Sequence, residues 1–273
     1  TAAFATNTWY VDGARPDDNG DGRTWATAKK TIQAAVEIAG KDDLILVNPG
    51  IYGPVDASAH HPFVIRSVQG PEATIIDAAG KTRCATLGKV RGEAGAVLDG
   101  FTLRHGCMGE GGGAMGGALN NCLLLNNLAY NGGGAAYCTL NNCTLTGNTA
   151  RTGGGAWTSA LTHCILTGNT ADDDGGGAVF CIMNNCTLTD NAASDFGGGS
   201  WESTLNNCLL ARNSAQYCGA AADCTLINCT VSGNTAIEQY GGVYTCTLYN
   251  SIVWGNTAKY KYYENQAYSA FYY

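Results

Sequence analysis

The chain has 273 residues, a net charge of −7, only 14% charged side chains and 38 glycines. An acidic surface excludes electrostatic capture of nucleic-acid phosphates, and no apolar run reaches the ~18 residues that span a bilayer. Low charge, abundant glycine and 45% apolar residues point to a turn-rich β protein with a sizeable core rather than a helical enzyme. The chain starts at Thr1, with no methionine and no recognisable signal peptide. It reads as a processed or trimmed fragment of an extracellular or bacterial cell-surface protein.

In chain order, residues 8–12 read as a first strand. Residues 26–39 read as an amphipathic helix with Ile32, Ala35, Val36 and Ala39 on one face. Residues 1–42 thus form a plug over the first turns of a solenoid, because an open solenoid end exposes core and unpaired strand edges. Residues 43–110 supply irregular first rungs.

Residues 111–258 are seven copies of one unit. Glycine runs begin at Gly111, Gly132, Gly153, Gly175 and Gly197, and the register continues at Cys218 and Tyr240, so the period is 21 or 22 residues. Counting each start as position 0, position 11 is Cys122, Cys143, Cys164, Cys186, Cys208, Cys229 and Ser251. Position 16 is always asparagine, from Asn127 to Asn256, and position 18 always alanine, from Ala129 to Ala258. Positions 8 and 13 are leucine, with Met183, Val231 and Val253 the exceptions. Alternation within each unit is that of strands, with positions 4, 6 and 8 expected on one buried face and 11 and 13 on another. Trp157 followed by Ser159, and Trp201 followed by Ser203, read as volume compensation inside that core. Three short strands per unit make one turn of a right-handed parallel β-helix, about ten rungs in all, forming a single domain. Leucine-rich repeats have similar lengths but different leucine spacing.

Stacked at the ~4.8 Å strand spacing, each column becomes a ladder. The asparagines read as a turn ladder whose amides donate and accept between rungs. The column cysteines read as buried free thiols acting as small hydrophobes. Of the 13 cysteines, Cys84 and Cys107 lie outside the columns and are the better disulfide candidates.

The segments Tyr10-Val-Asp-Gly13, Trp25-Ala-Thr-Ala-Lys-Lys-Thr-Ile-Gln33 and Leu46-Val-Asn-Pro-Gly-Ile-Tyr52 resemble the pectate-lyase-like superfamily of right-handed β-helices. The Gly-Gly-Gly-Ala and Asn-Asn-Cys-Thr-Leu-Thr-Gly-Asn-Thr-Ala segments are similar to repeats of polymorphic outer-membrane adhesins. The resemblance implies the fold. It does not select an activity, because lyases, hydrolases, adhesins and tailspikes share it.

Catalysis on this fold would need converging carboxylates, one to donate a proton and one to activate water or attack. The candidates lie in the turn before the next glycine run: Asp172, Asp174 and Asp195 with Arg151; Asp173 shares that turn, Glu238 lies further along the chain, and Arg212 is a second possible basic neighbour. Asp172 to Asp174 are consecutive and cannot all face one groove, so a non-enzymatic structural or adhesive module is the preferred reading and a polysaccharide lyase or glycoside hydrolase the alternative. His60, His61, His105 and His163 show no ligand spacing. Asp17, Asn19 and Asp21 resemble half of a calcium loop, but Ala28 stands where an EF-hand needs glutamate; no cofactor is expected, with calcium the weak candidate. Partners expected are carbohydrate or another surface ligand, and a second copy stacked head to tail into a fibre. Tyr260, Tyr262, Tyr263, Tyr268, Phe271, Tyr272 and Tyr273 form either a cap on the last rung or that interface.

Overall fold

A computed structural model describes residues 7–59, 61–88, 95–260, 264–267 and 269–272. Each rung contributes one short strand to each of four parallel sheets, of 12, 10, 8 and 10 strands in the order the chain visits them. In the second regular copy these strands are Thr139–Asn141, Thr144–Thr146, Thr149–Thr152 and, opening the rung, Ala135–Ala136. The register is uninterrupted: Leu119, Leu140, Leu161, Met183, Leu205, Leu226 and Leu248 pair in line, as do Leu124 through Val253 in the second sheet.

The fourth strand corrects the expectation of three. Its one inward residue per rung is the alanine at position 18, too little to produce an alternation in sequence. Ala171, Ala193 and Ala215 form a small apolar cluster apart from the leucine core. The folded-in glycine backbone lies between: a Cβ on Gly133 would sit 2.5 Å from the carbonyl oxygen of Thr149, and one on Gly134 would sit 3.2 Å from Asn148 Nδ2 and from a Leu145 methyl.

Four corners separate the four strands, at positions 0, 5, 10 and 15. Each is turned by a residue with positive φ, Cys218 at position 0 excepted. The residue after each of the last three corners points inward and repairs it. At positions 6 and 11, Gly117 excepted, a cysteine or serine donates to the carbonyl two residues back: Cys164 Sγ to Thr162 O (3.3 Å) and Ser159 Oγ to Trp157 O (2.9 Å). The thiols are therefore hydrogen-bonding corner groups as well as small hydrophobes. At position 16 the asparagines are buried and continuous: Asn148 Nδ2 donates to Asn169 Oδ1 (3.0 Å) and to Leu124 O (2.9 Å), and the same pattern runs from Asn127 to Asn256.

The corner at position 5 also corrects the assignment of positions 4 and 6 to one face. The backbone reverses side there, so position 3 points in (Ala135, Ala156 and Ala178 belong to the core) and position 4 points out, its small members Ala136, Val179 and Ala222 being covered from outside rather than joining that core. Trp157 and Trp201 therefore pack on the surface, and Ser159 and Ser203 owe their size to the corner bond rather than to a neighbouring indole.

All 13 cysteines are free, so Cys84 and Cys107 are not bridged; Cys84 is buried and its thiol donates to Arg104 O (3.1 Å). Burial pushes the thiols of Cys84 and Cys138 up to about 12, which keeps them protonated and unreactive at neutral pH. A bulky maleimide is expected to label at most the half-buried Cys107 in the native protein and all 13 residues after denaturation without reductant. A shortfall in the denatured count, read by mass spectrometry, would mean bridges.

At the N-terminal end the expected 26–39 helix shrinks to a five-residue helix, Ile32–Val36, preceded by a 3-10 turn, Trp25–Thr27. Residue Lys29 bridges to Val11 as extended chain, and Thr31 caps the helix by accepting from Ala34 N, so the helix cannot begin earlier. Ile32, Ala35 and Val36 cover the first core residues as the pattern implied. Beneath them the buried Asp43 carboxylate accepts from Trp9 Nε1 and Gly40 N (2.8 Å each) and from Asn7 N. Burial alone would raise its pKa, but these bonds outweigh burial and hold it below the usual range.

Candidate functional site

The corner at position 5 differs from the others in the residues it tolerates. Position 10 uses asparagine in six of the seven copies, with His163 in the third, and position 15 uses Gly147, Gly168, Gly233 and Gly255 in four. These types accept left-handed backbone cheaply. Position 5 is glycine in the first copy, Gly116, but holds Tyr137, Thr158, Phe180, Glu202, Asp223 and Thr245 in the other six, at φ between 44° and 57°. Each costs roughly 1–2 kcal/mol relative to glycine, so side-chain identity is kept there against backbone preference. Thr158→Asn is accordingly expected to stabilise the protein by about 1 kcal/mol, read as a rise in urea midpoint; no gain would mean that the corner is unstrained.

What the corner displays is a line of aromatic rings running along the helix axis. Tyr137 meets Trp157 of the next rung edge to face at 5.0 Å, and Phe180 meets Trp201 at 5.6 Å. Across the glycine turn, Phe196 stacks on Tyr217 and Tyr244, and Tyr244 on Tyr240 at 4.4 Å. Phe180 remains 40% exposed and Tyr217 38%. The repeat pattern does not reveal this surface, because its members occupy different columns.

The carboxylates expected to act together are divided. Asp172 and Asp195 are exposed; Arg151 is paired with Asp173 (2.6 Å) and lies over the Tyr130 ring, whose hydroxyl it also meets. Asp174 is half-buried beside the aromatic line, with its Oδ1 accepting from Phe196 N (3.0 Å). Burial raises its pKa, and the charges of Asp195, Asp173 and Glu202 add to the rise. Arg212 is taken by Asp190, and Glu238 by Lys259. Asp172, Asp174 and Asp195 line none of the clefts at Phe63 and Val97, at Asn228 and Asn250, or at Ser194 and Ile237.

The half calcium loop is occupied by its own backbone. Asp17 accepts from Asn19 N, and Asp21 accepts from Arg23 N and from Thr27 Oγ1. Among the described residues no three histidine, cysteine, aspartate or glutamate side chains converge as metal ligands.

At the C-terminal end the described part of the tyrosine-rich segment adds a partial rung. Ala270–Tyr272 pairs with Thr247–Tyr249, placing Phe271 over Leu248 and Tyr272 on the Tyr249 ring at 4.9 Å; Asn265 extends the asparagine ladder from Asn256. Tyr260 is exposed, with Lys259 over its ring. Tyr262, Tyr263, Tyr268 and Tyr273, like His60, lie outside the described residues.

Among solved structures the chain superposes on XylC in complex with xylose at a TM-score of 0.52 and 8% identity, over 91% of this chain and 75% of that one. A rhamnogalacturonan lyase gives 0.50 at 13% identity over 97% and 86%, and a pectin methylesterase in complex with a hexasaccharide gives 0.50 at 9% over 97% and 94%. The chain is a right-handed parallel β-helix. Identities this low establish that β-helix fold alone. No protein-family model matches the sequence, and no curated protein matches it. No helix of the described residues is long and apolar enough to cross a membrane.

Proposed function

We propose that this β-helix is a non-catalytic, extracellular adhesive module that holds carbohydrate on its aromatic corner. The observation that carries this reading is the outward line Tyr137, Trp157, Phe180 and Trp201, maintained at a corner whose backbone favours glycine or asparagine. Aromatic faces pack against the apolar C–H faces of sugar rings, and rigid rings lose little side-chain entropy on binding. Structural neighbours in complex with xylose and with a hexasaccharide support carbohydrate as the ligand, and the lyase and esterase among them fit the second reading below as well.

A second reading, hydrolysis or elimination on the same corner, draws on Asp174, whose raised pKa suits a proton donor. Co-sedimentation with insoluble polysaccharides, run beside assays for new reducing ends and for unsaturated products, separates the two. Retention of the protein without product is the expected result. Product formation that is lost in Asp174→Asn would replace the adhesive reading with the enzymatic one.

A further inference from the structure

The aromatic corner has a period of its own. Down the outward column at position 4 the paired residues are Met115, Ala136, Trp157, Val179, Trp201, Ala222 and Tyr244, large and small in strict alternation. The two indoles therefore stand two rungs apart, an advance of ~9.6 Å at the ~4.8 Å strand spacing. In an extended β-1,4-linked glucan or mannan successive rings are turned over, so the same face returns every second sugar, and two sugars advance by nearly the same distance as two rungs. An α-1,4-linked glucan curls and cannot keep that step. Charge narrows the class further. Acidic side chains gather on this face: Asp174 feels the charges of Asp195, Asp173 and Glu202, Glu202 directly follows Trp201, and Asp223 stands at the same corner of the next rung, while the cation Arg151 is paired with Asp173. A polyuronate would be repelled from such a border.

From this spacing and this border we infer that the corner binds an uncharged β-1,4-linked glycan lying parallel to the helix axis, with every second ring seated on Trp157 and Trp201. The inference rests on the carbohydrate-binding reading above and specifies its ligand.

Titration calorimetry of the full chain with cellohexaose, xylohexaose and mannohexaose tests it, with maltohexaose and hexagalacturonate as comparators. At least one β-1,4 hexaose is expected to bind about tenfold or more tighter than either comparator. Trp201→Ala should weaken that binding by about tenfold, and Trp201→Phe by less. The double variant V179W/W201A keeps the number of indoles but moves them to adjacent rungs, and should lose binding as Trp201→Ala does. Thermal midpoints identify any variant that fails to fold, and tryptophan fluorescence of the unaltered protein reports the contact independently. Comparators bound as tightly as the β-1,4 series, or undiminished binding by V179W/W201A, would overturn the inference and leave carbohydrate binding standing. Absence of binding to every oligosaccharide, together with no retention on any polysaccharide, would remove both.

Discussion

Replacing Asn169 by aspartate is expected to destabilise the protein by at least about 3–5 kcal/mol, the cost of leaving a charge buried and unpaired. Asn169 is fully buried, and every polar atom of its amide is used. Its Nδ2 donates to Leu145 O and to Asn191 Oδ1 (2.9 Å each), while its Oδ1 accepts from Asn148 N (3.1 Å) and Asn148 Nδ2 (3.0 Å). A carboxylate keeps the acceptor but sets a second oxygen against two acceptors. Burial and these oxygens raise the folded-state pKa of the new carboxyl above its unfolded value. The defect should therefore be largest above the folded pKa and shrink as pH falls through it. Asn169→Leu removes the charge yet strands the two donors of Asn148, at about 1–3 kcal/mol for each unsatisfied group. Asn142→Asp, at an exposed corner, is the control and should change stability by about 0.5 kcal/mol or less. Urea midpoints and hydrogen exchange in the flanking rungs measure these effects, the latter because a stacked repeat can open locally. Equal midpoints for the substitutions at 169 and 142 would show that the ladder contributes nothing specific.

Two glycines on neighbouring corners should respond very differently to alanine. A Cβ on Gly176 would lie 2.2 Å from the carbonyl oxygen of Ala192 and 2.6 Å from that of Gly198, both backbone atoms farther along the coil. No rotamer change relieves that clash. The coils must separate, and Gly176→Ala is expected to cost about 3 kcal/mol or more. At Gly168 nothing lies within 4 Å of an added Cβ, but φ is +63°. Gly168→Ala should therefore cost only about 1 kcal/mol, and Gly168→Asn still less, since asparagine tolerates left-handed backbone. Asn126, Asp190 and Arg212 already stand at that column position. Thermal midpoints of the three variants rank them, and a Gly176→Ala protein as stable as Gly168→Ala would refute the packing account.

The pair also shows where a sequence stops being informative. Gly168 and Gly176 look alike in a repeat, yet one is required by a torsion and the other by carbonyls across its own rung and in the next. Much of the fold was legible because stacking places each residue against its counterpart one period away, so a ladder writes itself as a column: the asparagines, the inner leucines and the corner cysteines were all readable. The N-terminal plug was readable in its buried residues, Ile32, Ala35 and Val36, but not in its length, because the pairing of Lys29 with Val11 consumes the start of the expected helix.

The site was less legible than the fold. Asp172, Asp174, Asp195 and Arg151 group because they fall in the same turn of successive repeats, and the structure spends Arg151 on Asp173 while leaving Asp174 beside the rings. The aromatic line joins position 5 of one rung to position 4 of the next, as in Tyr137 with Trp157, so no single column contains all of it. The sequence by itself determined the solenoid, its period and its internal ladders, because these follow from like residues meeting like. Only the tertiary structure decided which side of the wall each residue faces and which rings share a surface, because both depend on the sense in which the backbone turns at each left-handed corner.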